Sequence, residues 1–130
     1  MPRIFVFKGK TTEELKKIGN EEFVKMLTSR QRRAISRQGI KYKELQAKVE
    51  KIKMGGGTKT IRTHTREAVI LPGWLGLKFA VYTGKEFKEM TIIPEMLGHR
   101  LGEFAYSTQR VQHSAPGIRA TRGSKFLAVK

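Results

Sequence analysis

The chain contains no cysteine and no aspartate in its 130 residues. Without thiols there can be no disulfide framework and no thiolate zinc site. Long apolar runs are absent too, and nothing approaches the roughly 20 apolar residues of a membrane span. The start, "MPRIFVFKGK", has an apolar run too short for the h-region of a secretory signal. A soluble, intracellular, cytoplasmic protein with no membrane partner is therefore expected. Negative charge is the scarcest commodity of all: the eleven acids are all glutamate, and none follows Glu103. There is no internal repeat and no long low-complexity tract.

What is present is positive charge. Lys and Arg number 27 against 11 acids, a formal net charge of +16, where small soluble domains usually carry about 2–8. Such a field attracts nucleic acid or an anionic surface and says nothing directly about fold. The length suits one small domain with an extended arm, and a chain of this size buries roughly two thirds of its unfolded surface.

Three regions follow from the rhythm of the sequence. Residues 1–57 read as a basic helical region. In "TTEELKKI", Thr11 or Thr12 can cap a first helix, with Glu13 and Glu14 in its first turn. Gly19 ends it, and Asn20 is positioned to cap "EEFVKML", with Phe23, Met26 and Leu27 on one face. "TSRQRRAISRQGIKYK" holds six positive residues and no acid; Arg30, Arg33 and Arg37 would form one ridge, with Arg32 beside them. Residues 40–54 predict a further helix with Leu45, Val49 and Ile52 buried, released by the glycines at 55–57 into a flexible joint.

Residues 58–104 read as a core in which the period changes to two. In "TKTIRTHTR", alternation puts Thr60, Arg62, His64 and Arg66 on one face, opposite Ile61, Thr63 and Thr65. "AVILPGWLG" reads as a loop with apolar anchors, where Trp74 is either a core residue or a base-stacking platform. "LKFAVYTGKEFKEMTII" predicts a hairpin with Leu77, Phe79 and Val81 inward and a turn near Thr83–Gly84. Pro94 then opens a predicted helix whose buried stripe is Leu97, Leu101 and Phe104. Residues 105–130 carry five positive charges and little hydrophobic periodicity, the composition of an arm that orders on a partner.

Chemistry is sparse. Glu95, His99 and Glu103, at i, i+4 and i+8, would share one face of that helix, and a carboxylate–imidazole pair can serve as a general base. An ordinary solvated face has the same spacing, and no Ser or Cys nucleophile accompanies it. No two of the three histidines have metal-ligand spacing; neither catalysis, a metal nor a cofactor is expected. "GGGTKT" does not match a phosphate-binding loop. Gly98 and Gly102 recur at four, suiting either a close crossing within the fold or close approach of another molecule's backbone. The basic clusters are more informative jointly. They occupy the Arg30–Arg37 ridge, the Arg62/His64/Arg66 face and the acid-free tail, where a DNA major-groove reader usually concentrates on one element. Charge spread around a body suits burial within structured RNA, recognised through shape, phosphate and 2′-OH.

"THTREAVILPGWLGLKFAVYTGKEF" followed by "PEMLGHRLGEFAYS" resembles the small-subunit ribosomal protein family numbered nineteen. The match covers about residues 58–106, and "SRQRRAISRQG" with "PGIRATRGSKFLAVK" extends it to the archaeal and eukaryotic branch. The resemblance implies an α+β fold: a small three-stranded sheet packed with helices, a helical basic N-terminal extension and an extended C-terminal tail. It implies a noncatalytic, rRNA-binding constituent of the small-subunit head, active in translation. Implied partners are head rRNA, the ribosomal protein family numbered thirteen, and tRNA and large-subunit components across the interface. "GHRLGEFA" would be an RNA-facing helix. With the basic pattern, this nominates Arg30, Arg32, Arg33, Arg37, Lys59, Arg62, His64, Arg66, Lys78, His99, Arg100, Arg110 and His113 as rRNA contacts. Arg119, Arg122 and Lys125 would lie on the tRNA and decoding side. The competing readings are an architectural DNA-binding protein, which the charge alone permits, and a nuclease built on Glu95, His99 and Glu103.

Overall fold

The structure, a computed structural model, describes residues 5–56, 59–111, 116–117 and 120–123. The element order is β1 (Val6–Phe7), β2 (Lys10–Thr11), α1 (Thr12–Lys17), α2 (Asn20–Met26), α3 (Ser29–Ser36), α4 (Ile40–Met54), β3 (Ile61–Thr63), β4 (Lys78–Tyr82) and β5 (Phe87–Thr91). The 3-10 turns Pro72–Trp74, Pro94–Met96 and Leu101–Glu103 lie between and after the strands. This is the expected α+β fold with a small three-stranded sheet.

Local chemistry explains the helix starts. The Thr11 N–H donates to the Glu14 carboxylate at 2.8 Å, opening α1. The Thr28 N–H donates to the Gln31 amide oxygen at 3.1 Å, opening α3. Gly19, rather than Asn20, takes the cap position of α2. The helix α3 buries no residue completely and packs through Ala34 and Ile35. In α4, Tyr42, Leu45 and Val49 face the core and Ile52 is partly buried. Near the start of the chain, β1 and β2 form a hairpin through Lys8 (φ 47°) and Gly9 (φ 82°).

The sheet order is β3-β4-β5. The β4–β5 hairpin is antiparallel, with Phe79 opposite Met90 and Tyr82 opposite Phe87. Its turn closes through the Thr83 N–H to the Glu86 carbonyl at 2.9 Å. The pair β3–β4 is parallel, Ile61 opposite Phe79. Parallel strands need a long crossover, and residues 64–77 supply it without an α-helix.

One buried cluster joins both halves of the chain. Leu15, Phe23, Leu27, Tyr42, Leu45 and Val49 from the helices meet Ile61, Phe79, Val81, Ile92 and Leu101. Trp74 is 3% exposed, with its ring 5.1 Å from Phe79 and 6.3 Å from Tyr42. It is therefore a core anchor and not a stacking platform.

The segment 94–104 departs from expectation because it is not an α-helix. Two 3-10 turns flank an extended stretch that pairs with residues 66–70, Val69 bridging Arg100. The Ile70 N–H donates to the His99 carbonyl (2.9 Å), Leu101 to Ala68 (3.0 Å) and Gly102 to Arg66 (2.8 Å). Backbone donors that would have bonded four residues back are satisfied across the fold instead. Gly98 (φ 78°) permits the break, and a Cβ there would lie 3.2 Å from Leu27 Cδ2. A Cβ on Gly102 would stand 3.1 Å from the Arg66 carbonyl oxygen. Both glycines thus serve close packing within the chain. Leu97 and Leu101 are buried and Phe104 partly so, as expected, although by a different backbone.

Candidate nucleic-acid interface

The basic ridge forms where α3 leaves the core. Arg30, Arg32 and Arg33 project from the helix and Arg37 from its C-terminal cap; all four are exposed. A hydrogen bond from the Gln31 amide to the Gly98 carbonyl ties α3 to the segment behind it. The arginines are thereby presented on a fixed backbone while their heads remain in solvent.

A second group gathers at one end of the sheet. Alternation along β3 is seen as Ile61 buried, Arg62 exposed, Thr63 buried and His64 exposed. The Arg62 guanidinium stands 5.6 Å above the Phe87 ring. The His64 ring lies 4.6 Å from Tyr82 and meets Phe87 edge-on at 5.3 Å. Lys88 approaches the ring of Tyr106, which is 73% exposed, at 5.7 Å. Cations interleaved with aromatic faces are the composition that binds phosphate and stacks bases. Tyr82, Phe87, Lys88 and Tyr106 were missed by sequence reasoning. Their signal was the hairpin register, which sets Tyr82 opposite Phe87 across the turn.

Arg66 does not join that face. The strand ends at Thr63 and the chain turns, with the Thr65 N–H on Thr63 Oγ1 (3.0 Å) and the Arg66 N–H on the His64 carbonyl (2.9 Å). The Arg66 guanidinium consequently reaches inward. It donates to the Tyr82 carbonyl at 2.7 Å, to the Gly102 carbonyl at 3.2 Å and to the Ala105 carbonyl. Ala105, expected to begin the tail, is completely buried and belongs to the core.

Glu95, His99 and Glu103 do not share a helix face, since the helix that would align them is absent. His99 Nδ1 and Glu103 Oε2 still meet at 2.7 Å, with side chains 53% and 49% exposed. The Arg100 N–H donates to the other Glu103 oxygen at 3.2 Å, so the carboxylate closes the 3-10 turn. Arg100, Lys59, Lys78, Arg110 and Arg122 are exposed. His113, Arg119, Lys125 and part of the glycine joint lie outside the described residues.

Among the described residues, His99–Glu103 is the one close acid–base pair, and no Lys or Arg is paired with a glutamate. Among the same residues no cluster of three or more acids or histidines could hold a metal, and no helix is long and apolar enough to cross a membrane. Burial pushes the Tyr42 phenol up to about 12, and a hydrogen bond with the Gln46 side chain works in the opposite direction.

Comparison with known proteins gives this surface a lineage. The family model for "Ribosomal protein S19" matches residues 33–113. A small ribosomal subunit protein uS19 from Saccharolobus solfataricus is 49% identical over 128 residues, covering 97% of this chain and 91% of the relative. One of the same name from Metallosphaera sedula is 47% identical over 129 residues, again covering 97% and 91%. Both the family match and the near-full-length identity span the ridge at Arg33–Arg37, the sheet and the 98–105 segment, and the chain accordingly belongs to the ribosomal protein S19 family.

Proposed function

We propose that this chain is a noncatalytic structural constituent of the small ribosomal subunit, bound to rRNA in the subunit head during translation. The carrying observation is electrostatic. A chain of net charge +16 leaves its described Lys and Arg without a glutamate partner, on rigid elements facing several directions. Cations unneutralised within the fold raise its electrostatic energy, and a surrounding polyanion relieves that. Arg30, Arg32, Arg33 and Arg37 serve as phosphate contacts. Arg62 and His64, with Tyr82 and Phe87, serve as a mixed stacking and phosphate surface; Lys59, Lys78, His99, Arg100, Arg110 and His113 add further contacts. Arg66 supports this surface from behind.

The neighbour in this reading is the ribosomal protein family numbered thirteen. The tail, with Arg119, Arg122 and Lys125, extends toward tRNA and the decoding region, with large-subunit components across the interface. Some 25 extended residues reach about 80 Å, well beyond the body's radius.

The test is binding to small-subunit rRNA as a function of salt. Log affinity should fall linearly with log salt, at about 0.7–0.9 per neutralised phosphate. Eight contacts, about half the net charge, predict a slope of roughly −6 to −7. A slope near zero would refute the electrostatic account. Chelator-sensitive cleavage of RNA, lost on Glu103→Gln, would support the nuclease reading instead.

A further inference from the structure

The helix α4 and the strand β3 face each other across a groove of about 320 Å3, a volume within the roughly 300–1,000 Å3 of ligand sites. Lys41, Glu44 and Lys48 line it from α4, and Arg62 and His64 line it from the strand side. Lys41 and Lys48 belong neither to the α3 ridge nor to the cluster at the end of the sheet. Lys41 also lines, with Arg37, the neighbouring cleft at the α3–α4 junction. The groove thus connects the two basic surfaces.

Its charge and its order both favour an anionic strand. Cations stand on both walls, and Glu44 is the one carboxylate in the lining, against Lys41, Lys48 and Arg62. The strand-side wall is held in place before any ligand arrives. The Arg62 guanidinium rests 5.6 Å above the Phe87 ring, and the His64 ring is backed by Tyr82 at 4.6 Å and Phe87 at 5.3 Å. Side chains already fixed in this way lose less freedom on binding. His64 is nevertheless exposed, so a supported aromatic ring opens onto the groove.

We propose that this groove holds an unpaired strand of the bound RNA, its phosphates between Lys41, Lys48 and Arg62 and one base stacked on His64. The inference rests on the rRNA binding proposed above and specifies the form of RNA taken at this place. A positive groove that tracks the backbone, beside an aromatic ring that accepts a base, is the composition of single-strand sites. A duplex matches it poorly. A-form RNA keeps its base faces inside the stack and offers proteins its phosphates, 2′-hydroxyls and shallow minor groove, so nothing would occupy the face of His64.

The experiment compares two double variants that remove the same charge from the same helix. Lys41→Gln with Lys48→Gln acts inside the groove, and Lys43→Gln with Lys51→Gln acts outside it. All four lysines are exposed, so both variants should melt as the native protein does. The ligand is small-subunit rRNA of Saccharolobus solfataricus, transcribed in vitro. The groove variant should reduce the salt slope by about 1.4, two phosphates at about 0.7 each for a single strand. The control should reduce it by less than half as much. His64→Ala should weaken binding about fivefold or more, and His64→Phe, which keeps a stacking ring, should restore it. If the native protein itself fails to bind this rRNA, the proposed function fails. If it binds and the two lysine pairs change the slope equally, the groove is refuted and diffuse attraction explains the charge. Equal losses in His64→Ala and His64→Phe would remove the stacked base. A photo-crosslinking residue at position 48, in subunits assembled with the full chain, should attach to nucleotides that are unpaired in the rRNA. Attachment to a duplex segment or to a neighbouring protein would overturn the proposal.

Discussion

Replacing Arg66→Lys separates a structural cation from a phosphate ligand. The guanidinium spans three carbonyls, those of Tyr82 at 2.7 Å, Gly102 at 3.2 Å and Ala105, and so joins the hairpin to the 98–105 segment. A lysine ammonium is a compact point charge and cannot reproduce a planar fork. If it retains one of the three bonds, two charge-assisted bonds are lost, each worth about 1.5–3 kcal/mol when fully desolvated. Arg66 is only half-buried, so water recovers part of the loss and about 2–4 kcal/mol is expected. For a domain of this size that lowers the melting temperature by roughly 6–16 °C. The comparison is Arg33→Gln, on the exposed ridge, which should change stability by less than about 0.5 kcal/mol while weakening rRNA binding. Thermal unfolding followed by circular dichroism, and filter binding at several salt concentrations, read the two effects separately. If Arg66→Lys melted within about 2 °C of the native protein and yet shifted the salt slope, Arg66 would be a phosphate ligand and its structural role would be wrong.

Leu101→Ala should cost about 2–5 kcal/mol by denaturant titration, because the residue is completely buried, whereas Glu95→Gln should be neutral. Tyr42 makes stability pH-dependent at the alkaline end. Its folded pKa of about 12 lies above the ordinary phenol value of 10.0, so its contribution is complete below about pH 10 and is lost as pH rises toward 12. Tyr42→Phe should remove that part of the alkaline decline, worth on the order of 2–3 kcal/mol, and an identical decline in both proteins would refute the assignment. Deleting residues 107–130, which leaves Ala105 and Arg66 in place, should barely change the melting temperature while altering tRNA retention by assembled subunits. Failure of the truncated protein to enter subunits would make the tail an anchor instead.

Much of this protein was legible in its sequence, because the relevant interactions are local. The glutamates at the start of α1, the two-residue period of Leu77, Phe79 and Val81, and the turn at Thr83–Gly84 act within a few residues. The net charge follows from composition, which leaves at least 16 of the 27 Lys and Arg without a glutamate, and the "GHRLGEFA" and "ILPGWLGLKFAVYTGKEF" strings carried the family. Tertiary structure decided the rest. Leu97, Leu101 and Phe104 at helical spacing are equally compatible with an extended chain whose hydrogen bonds go to residues 66–70. Pairing at that separation leaves no local periodicity to read. It also turns Arg66 inward, away from Arg62 and His64, although alternation alone would group the three. Trp74 became core because Tyr42 and Phe79, from distant segments, close over it. At the α3–α4 junction, Gln38 and Tyr42 line a cleft that exists only because Arg100 and Ala68 are brought against them. A cleft assembled from three separated segments is a property of the packing, and no one of those segments displays it alone.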